Sequence, residues 1–346
     1  MFADLLEKLR RHEDLTTDEA TRAMGAIMDG QAQPAHIAGL LMALALKGER
    51  PTEMVGFARA MRARATPLPR AAANGVFDTC GTGGDGAHTF NVSTAAAFVV
   101  AGAGVPVAKH GNRAVSSRCG SADVFEALGI QLECGPDRVV EALETARIAF
   151  FYAPAWHPSM RHAGPTRKEL GVRTAFNLLG PLTNPAGAKR QLVGVSRPEH
   201  TELVARTLGL LGADRAWVVH GAGGLDELST LGHSKVSEWR DGTVRTFYVH
   251  PADVGLPTSS VANLAGGTAA ENASMIEELL SGASGARRDI VRLNAGAALL
   301  IAGAATSLQE GMVLAGSSLD SGRARAALTT LRERCGPTAG PAARFE

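Results

Sequence analysis

The stretch VFDTCGTGGDGAHTFNVSTAAAFVVAGAGVPVAKHGNRAVSSRCGSADV, residues Val76–Val124, decides the fold. A short apolar run, Val76–Cys80, breaks into a glycine cluster, Gly81-Thr82-Gly83-Gly84-Asp85-Gly86. An alanine-rich segment, Ser93–Ala103, has the composition of a buried helix, and Val105–Ala108 is a second apolar run. That run ends in Lys109-His110-Gly111-Asn112-Arg113-Ala114-Val115-Ser116-Ser117, with Gly120-Ser121 just beyond, and a helix continues through Val124–Leu128 until Gly129 closes it. Strand, polar loop, helix, strand and polar loop again is the rhythm of a parallel α/β sheet.

Outward from this stretch the rhythm persists. Asp137–Arg147 is helical and Ala149–Tyr152 is a strand; Gln191–Val195, His200–Leu211 and Ala216–His220 repeat strand, helix, strand. Pro165–Leu179, Asn294–Ala305 and Ser321–Arg332 read as helices. Upstream, residues 1–66 carry helical signals throughout. Phe2, Leu5, Leu6 and Leu9 recur at the helical period. Thr16 and Glu19 form a capping box, Pro34 opens a helix near Ala35–Leu46, and another runs from Thr52 to Ala65. Pro67, Pro69 and the AAANG stretch end this block. The expected architecture is α/β: a small helical domain at 1–70, with 165–186 packing on it, and a larger α/β domain with a mainly parallel sheet formed by 75–164 and 187–346.

The loops at the strand ends carry the chemistry. Glycines at 81–86 let the backbone turn sharply and approach a ligand, and Asn91, Ser93 and Thr94 stand at the next helix start, where unpaired N–H groups attract anions. The loop is either a phosphate seat or a tight turn with an ordinary N-cap. It satisfies GxGxxG literally. However, the helix starts several residues too late, and the second strand ends in Lys109-His110 where a dinucleotide fold wants an acid. A basic residue there could still hold an NADP phosphate. No GK[ST] follows, which excludes a P-loop. The second loop gathers two cations, an imidazole, an amide and hydroxyls beyond a strand end, where open α/β sheets bind ligands. Together the two loops suit two phosphate-bearing ends of one ligand.

A third strand, Trp217–His220, runs through Gly221-Ala222-Gly223-Gly224-Leu225 into Asp226-Glu227. Adjacent carboxylates repel unless a cation or solvent screens them. Alone they would be a solvated turn; after two anion-binding strand ends they read as magnesium ligands, since that ion takes one or two carboxylates plus substrate phosphates and water. Arg167, in HAGPTRKEL, is by itself an arginine in the first turns of a helix. No serine, histidine and acid combine into a hydrolytic triad.

Composition excludes other classes. The 346 residues hold 35 Lys plus Arg against 34 Asp plus Glu, a balance that gives no electrostatic reason to expect nucleic acid or an anionic membrane as partner. Four cysteines, Cys80, Cys119, Cys134 and Cys335, make no CxxC pair and suit a reducing cytosol. The charged N-terminus has no signal-peptide core, and apolar runs such as Ala95–Ala103 are too short to span a bilayer. A soluble cytoplasmic protein is expected.

At GTGGD, KHGNRAVSS, GSADV and GLDE the chain resembles the anthranilate phosphoribosyltransferase family. The likeness runs on through Arg167–Pro185, Gly266–Ala273 (GGTAAENA) and Leu293–Leu299 (LNAGAAL) and covers nearly the whole length. It implies a fold like that of nucleoside phosphorylases, usually as a homodimer, and transfer of phosphoribose from 5-phospho-α-D-ribose 1-diphosphate to anthranilate. It further implies that Gly81, Gly84, Asp85, Thr89, Asn91, Val92, Ser93, Thr94, Lys109, His110, Gly111, Asn112, Arg113, Ala114, Val115, Ser116, Ser117 and Ser121 hold the phosphoribosyl diphosphate. Ser93, Asp226 and Glu227 would serve Mg²⁺, and Gly81, Asn112 and Arg167 would meet anthranilate. His88 stands where the family frequently has asparagine, and Cys119 occupies a variable position. A pyrimidine nucleoside phosphorylase of related fold would leave Asp226-Glu227 without a purpose, and a nucleic-acid-binding relative should carry a basic stripe.

Overall fold

The computed structural model describes residues 1–69, 74–114 and 118–337. Four helices come first: α1 (Phe2–Arg10), α2 (Thr17–Met28), α3 (Pro34–Lys47) and α4 (Pro51–Arg62). Thr16 and Glu19 cap α2 reciprocally, and Pro34 and Pro51 sit at the starts of α3 and α4. Next come β1 (Phe77–Gly81), α5 (Val92–Gly102), β2 (Val107–Gly111), α6 (Ser121–Ala127), α7 (Pro136–Thr145) and β3 (Ile148–Tyr152). Short helices α8 (Ala153–Trp156), α9 (Gly164–Leu170) and α10 (Phe176–Leu179) lead to β4 (Arg190–Gly194), α11 (His200–Leu210), β5 (Arg215–Gly221), β6 (Ser234–Arg240) and β7 (Thr243–Val249). The chain closes with α12 (Val261–Leu264), α13 (Ala269–Leu280), α14 (Ala286–Ala302), α15 (Leu308–Asp320) and α16 (Arg323–Cys335).

The seven strands form one sheet in the order β3-β2-β1-β4-β5-β6-β7. The strands from β3 across to β5 pair in parallel, and β6 and β7 add an antiparallel edge. Side chains alternate across the pleat. Leu192, Trp217 and Val219 enter one core with α5, α14 and α16, whereas Val193, Val195, Ala216 and Val218 enter a second core with α1–α4 and α11. The sheet is therefore covered on both faces, which explains the continuous apolar character of its central strands. Ala163, Ala175, Phe176, Leu178, Leu179 and Leu182 share the core of α1–α4, and Arg62 Nε donates to Leu182 O at 2.7 Å.

Several expectations are corrected. Pro165–Leu179 is two helices: Gly171 takes a left-handed φ of 63°, which ends α9, and Thr174 N donates to Asn177 Oδ1 to open α10. The helix read as Asn294–Ala305 starts eight residues earlier, because its first turns are the charged RRD of Arg287–Asp289, and it stops at left-handed Gly303. The last helix starts after left-handed Gly322 and runs on to Cys335. The β6–β7 hairpin was not foreseen, although its signal is present: Asp241 (φ 50°) and Gly242 (φ 82°) form the two-residue turn that such a pair favours. Thr268 and Glu271, reciprocal caps of α13, were likewise legible.

Glu53 organises the helical bundle. Fully buried at the start of α4, it accepts from Leu15 N and Arg50 N, both at 2.8 Å, and pairs with Lys47 at the end of α3. Glu53→Ala leaves the buried Leu15 N–H without its acceptor and Lys47 with Asp14 as its remaining counter-charge, and should destabilise the protein by about 1–3 kcal/mol in urea unfolding. Glu53→Gln, which keeps the acceptor, should cost clearly less.

Candidate active site

Four strands end in glycine at the same edge of the sheet, β1 at Gly81, β2 at Gly111, β4 at Gly194 and β5 at Gly221, and the loop after β5 lies over three of them, Gly81, Gly194 and Gly221. Each glycine is required by close approach. A Cβ on Gly81 would lie 2.4 Å from Asp226 Oδ2, one on Gly194 would lie 1.5 Å from Asp226 O, and one on Gly221 would lie 2.4 Å from Glu227 O. The loop after β5 is thus laid flat over the strand ends. Left-handed Gly223 and Gly224 turn it, and Gly221 N reaches Leu225 O at 2.8 Å. Leu225 and Leu228 plug it into the core. Asn294 of α14 then grips Leu228 on both sides, accepting from its N–H at 3.0 Å and donating to its carbonyl at 2.8 Å.

This loop joins the acid pair to the glycine loop. Asp226 Oδ2 accepts from Gly83 N at 2.8 Å, and Glu227 Oε1 accepts from Ser93 N at 3.0 Å, in the first turn of α5. Lys109, 1% exposed, donates to Thr79 O and to Ser93 Oγ at 3.3 Å, so two of its three protons are engaged. Burial raises the Asp226 carboxyl to about 7, helped by the Asp85 charge. Burial, then the Asp226 charge, raises Glu227 to about 8 against the opposing pull of Lys109. Burial lowers the Lys109 ammonium, which Asp78 and the acid pair oppose. Asp78, fully buried, is held by Asn184 Nδ2 at 2.7 Å and His110 N at 3.2 Å. Among the described residues no three His, Cys, Asp or Glu side chains form a ready metal cage. The site instead offers carboxylates that lack enough positive charge.

The glycine loop is built by left-handed Gly83, Gly84 and Gly86. His88 is left-handed too (φ 52°), a conformation that asparagine and histidine tolerate better than most residues, so the departure from asparagine there is conservative in backbone terms. Residues 88–90 run alongside 264–266: Phe90 N reaches Leu264 O, Gly266 N reaches His88 O, and Thr89 bridges Ala265. Asn272 of α13 donates to Asn91 Oδ1 at 2.9 Å. Val92 and Thr94 are buried in α5. In the second loop, Arg113 turns away to bridge Asp123 and Glu126, so its side chain is already neutralised. Asn112 Oδ1 accepts from Arg113 N, and Ser121 Oγ reaches Asn112 O at 3.4 Å. A Cβ on Gly111 would collide with Ser121 Oγ. Ala114 N donates to Asp123 Oδ2 at 3.1 Å. Val115, Ser116 and Ser117 lie outside the described residues.

Arg167 in α9 is half-buried over the Phe176 ring, 4.8 Å from its centroid, and has no ion-pair partner among the described residues. Arg173, which sequence reasoning passed over, donates to Gly83 O at 3.0 Å and Gly84 O at 3.1 Å, clamping the glycine loop from the α9–α10 connection. Nothing in its local sequence marks it. His110 Nδ1 sits 3.1 Å from Gly180 O and its ring lies 5.3 Å from that of His157. Burial lowers His110 to about 3 and His157 to about 4, so both are neutral imidazoles at neutral pH. Asn272 and Asn294 were quoted only as parts of GGTAAENA and LNAGAAL; they are the braces of the two loops.

Comparison with known proteins matches residues 3–65 to the helical bundle domain of a glycosyl transferase family and residues 73–325 to the a/b domain of that family. The chain is 56% identical over 332 residues to the anthranilate phosphoribosyltransferase of Moorella thermoacetica, covering 96% of this chain and 97% of that protein. It is 54% identical to that of Symbiobacterium thermophilum, covering 95% and 96%. Among solved structures it superposes on anthranilate phosphoribosyltransferase from Thermus thermophilus with a TM-score of 0.89 at 47% identity, covering 95% and 98%. The Saccharomyces cerevisiae enzyme in complex with PRPP and Mg gives 0.87 at 27% identity, covering 96% and 97%.

The acid pair has a pH signature. Both carboxyls are raised above the unfolded value of about 4, so their stabilising share is complete below that value and is lost as pH rises through about 7 and 8. In chelator, the melting temperature should drop by roughly 5 °C between about pH 6 and pH 9. Asp226→Asn/Glu227→Gln should flatten that drop in a thermal melt.

Proposed function

The chain belongs to the anthranilate phosphoribosyltransferase family, and from that premise we propose how its residues carry out the family's reaction: transfer of phosphoribose from 5-phospho-α-D-ribose 1-diphosphate to anthranilate, giving N-(5-phosphoribosyl)anthranilate and diphosphate in tryptophan biosynthesis. The observation that carries the reading is the acid loop seated on three glycine strand ends and hydrogen-bonded to Gly83 N and Ser93 N. The direct test is loss of anthranilate fluorescence with both substrates and Mg²⁺; no loss would refute it.

In this reading Gly81, Gly84, Asp85, Thr89, Asn91 and the first turn of α5 (Val92, Ser93, Thr94), together with Lys109–Ser117 and Ser121, hold the phosphoribosyl diphosphate. Arg113 contributes its main chain, since its guanidinium is spent on Asp123 and Glu126. Lys109 keeps one proton for a diphosphate oxygen. The acid pair fits Mg²⁺: its ligands are hard oxygens, burial and mutual repulsion leave them short of positive charge, and the substrate's phosphates complete the coordination. Asp226, Glu227 and Ser93 would hold the ion. Bound there, Mg²⁺ supplies charge that stabilises the departing diphosphate.

The amine of anthranilate attacks the anomeric carbon from the face opposite the breaking bond. No protein nucleophile is needed; the chain positions both substrates and stabilises the leaving charge with Lys109 and main-chain N–H groups. The neutral state of His110 and His157 agrees with this, because the aryl amine is already unprotonated and no strong base is required. Arg167, with Gly81 and Asn112, receives anthranilate: a half-buried guanidinium with no ion pair among the described residues suits a carboxylate that is not a phosphate. We read residues 1–70 with 165–186 as one domain and 75–164 with 187–346 as the other, the enzyme as a cytoplasmic homodimer, and neither nucleic acid nor membrane as a partner. No described helix is long and apolar enough to cross a membrane.

Two substitutions separate the substrates. Lys109→Ala should weaken phosphoribosyl diphosphate binding roughly 10–100-fold in calorimetry, the value of one charge-assisted contact, and leave anthranilate less affected. Arg167→Lys should raise the KM for anthranilate with little change in phosphoribosyl diphosphate binding, and Arg167→Ala should raise it further. Aniline, lacking the carboxylate, should be poor for wild type and lose little more in the variant; equal penalties on both amines would remove Arg167 from carboxylate recognition.

A further inference from the structure

On the sheet face carrying α5, α7 and α16, two cysteines that sequence places 201 residues apart come together. Cys134 precedes α7 and Cys335 is the last residue of α16; their sulfurs are 2.7 Å apart. Both side chains are buried, and none of the four cysteines is in a disulfide. The backbone around them is independently held. Gln131 N donates to Cys335 O at 2.7 Å, Arg138 Nε to Arg334 O at 2.7 Å, and Arg138 Nη2 to Gly336 O at 2.9 Å. The framework thus sets the sulfur positions, and their separation is only a fraction of an ångström beyond a covalent S–S bond of about 2.05 Å.

We propose that Cys134 and Cys335 are a thiol–disulfide pair, a modification site that cross-links the end of α16 to the segment entering α7. The partner is a low-molecular-weight disulfide such as glutathione disulfide. The Cys134 thiolate attacks one of its sulfurs and expels one small thiolate. The Cys335 thiolate then attacks the Cys134 sulfur of the mixed disulfide and expels the second. Two protein thiols give up two protons and two electrons; the oxidant leaves as two small thiols. Cys134 is the first nucleophile, because it is the more exposed of the two, 7% against 2%, and the Arg138 charge beside it favours its thiolate. Burial makes the reaction follow opening of the last turn of α16, so it is slow in the native protein. The cross-link would tie down the far end of α16, whose start is already packed on the C-terminal end of α5, where a Cβ on Gly102 would meet Ala324 N at 2.5 Å.

The test uses the reduced full-length protein incubated with glutathione disulfide, then quenched, denatured and alkylated. Two of the four thiols should be lost, the intact mass before alkylation should fall by two hydrogens, and a peptide map should link Cys134 to Cys335. The melting temperature should rise by about 5–10 °C and return with dithiothreitol. Cys335→Ser and Cys134→Ala should abolish the link and the rise, whereas Cys119→Ser should keep both. Four alkylated thiols, a glutathione adduct without the cross-link, or a link between any other pair would overturn the proposal. Should the serine variant fail to fold, the wild-type peptide map decides by itself.

Discussion

Everything at this site depends on one steric constraint: the carbonyl and side chain of Asp226 occupy the space where side chains at Gly81 and Gly194 would be. Only bare strand ends let the loop lie flat, and only a flat loop brings Asp226 to Gly83 N and Glu227 to Ser93 N. The energetic cost is considerable, since two adjacent half-buried carboxylates are crowded beside Asp85 with Lys109 as the main opposing charge. The protein holds that arrangement with apolar anchors at Leu225 and Leu228 and with the two-sided grip of Asn294. Electrostatic deficit in a rigid frame is what prepares a cation and phosphate site before either arrives.

The second organising feature is the connection from α9 to β4. It contributes Phe176, Leu178, Leu179 and Leu182 to the core of the helical bundle, yet it also lends Arg173 to the glycine loop and Gly180 O to His110. Gly83 is therefore held from both sides, its N–H by Asp226 and its carbonyl by Arg173. Through this one segment the packing of the bundle and the shape of the glycine loop bear on each other.

The sheet and its loops were legible because their signals are local. Val76–Val124 announces strand, glycine loop and helix within a few residues, and the parallel sheet follows from that rhythm. The resemblance to the transferase family held for the same reason, resting on contiguous strings. What stayed hidden depends on distance along the chain. Nothing near Arg173 says that it reaches Gly83, and Asn294 lies 66 residues from the loop it braces. Neither the flanks of Cys134 nor those of Cys335 name the other. The divided α9–α10 segment and the misplaced helix starts have a different cause: left-handed glycines at 171, 303 and 322 set those ends, and φ is not written in hydrophobic pattern. The β6–β7 hairpin was legible at Asp241-Gly242 and simply went unread.

Strand order carries a consequence for how the molecule comes into being. Because β1 lies between β2 and β4, the chain first builds outward to β3 and only then returns across β1 to add β4 and β5 on its other side. The glycine loop and the Lys109 loop are complete by residue 121 of the 346. The acid loop must wait for residue 227, and its brace for residue 294. A chain emerging from the ribosome thus holds a basic, glycine-rich strand edge long before the acids that complete it are synthesised, and the closing contacts are among those of greatest sequence separation, the kind that form late. A truncated or stalled chain could not assemble this centre, so catalytic competence reports on complete topology.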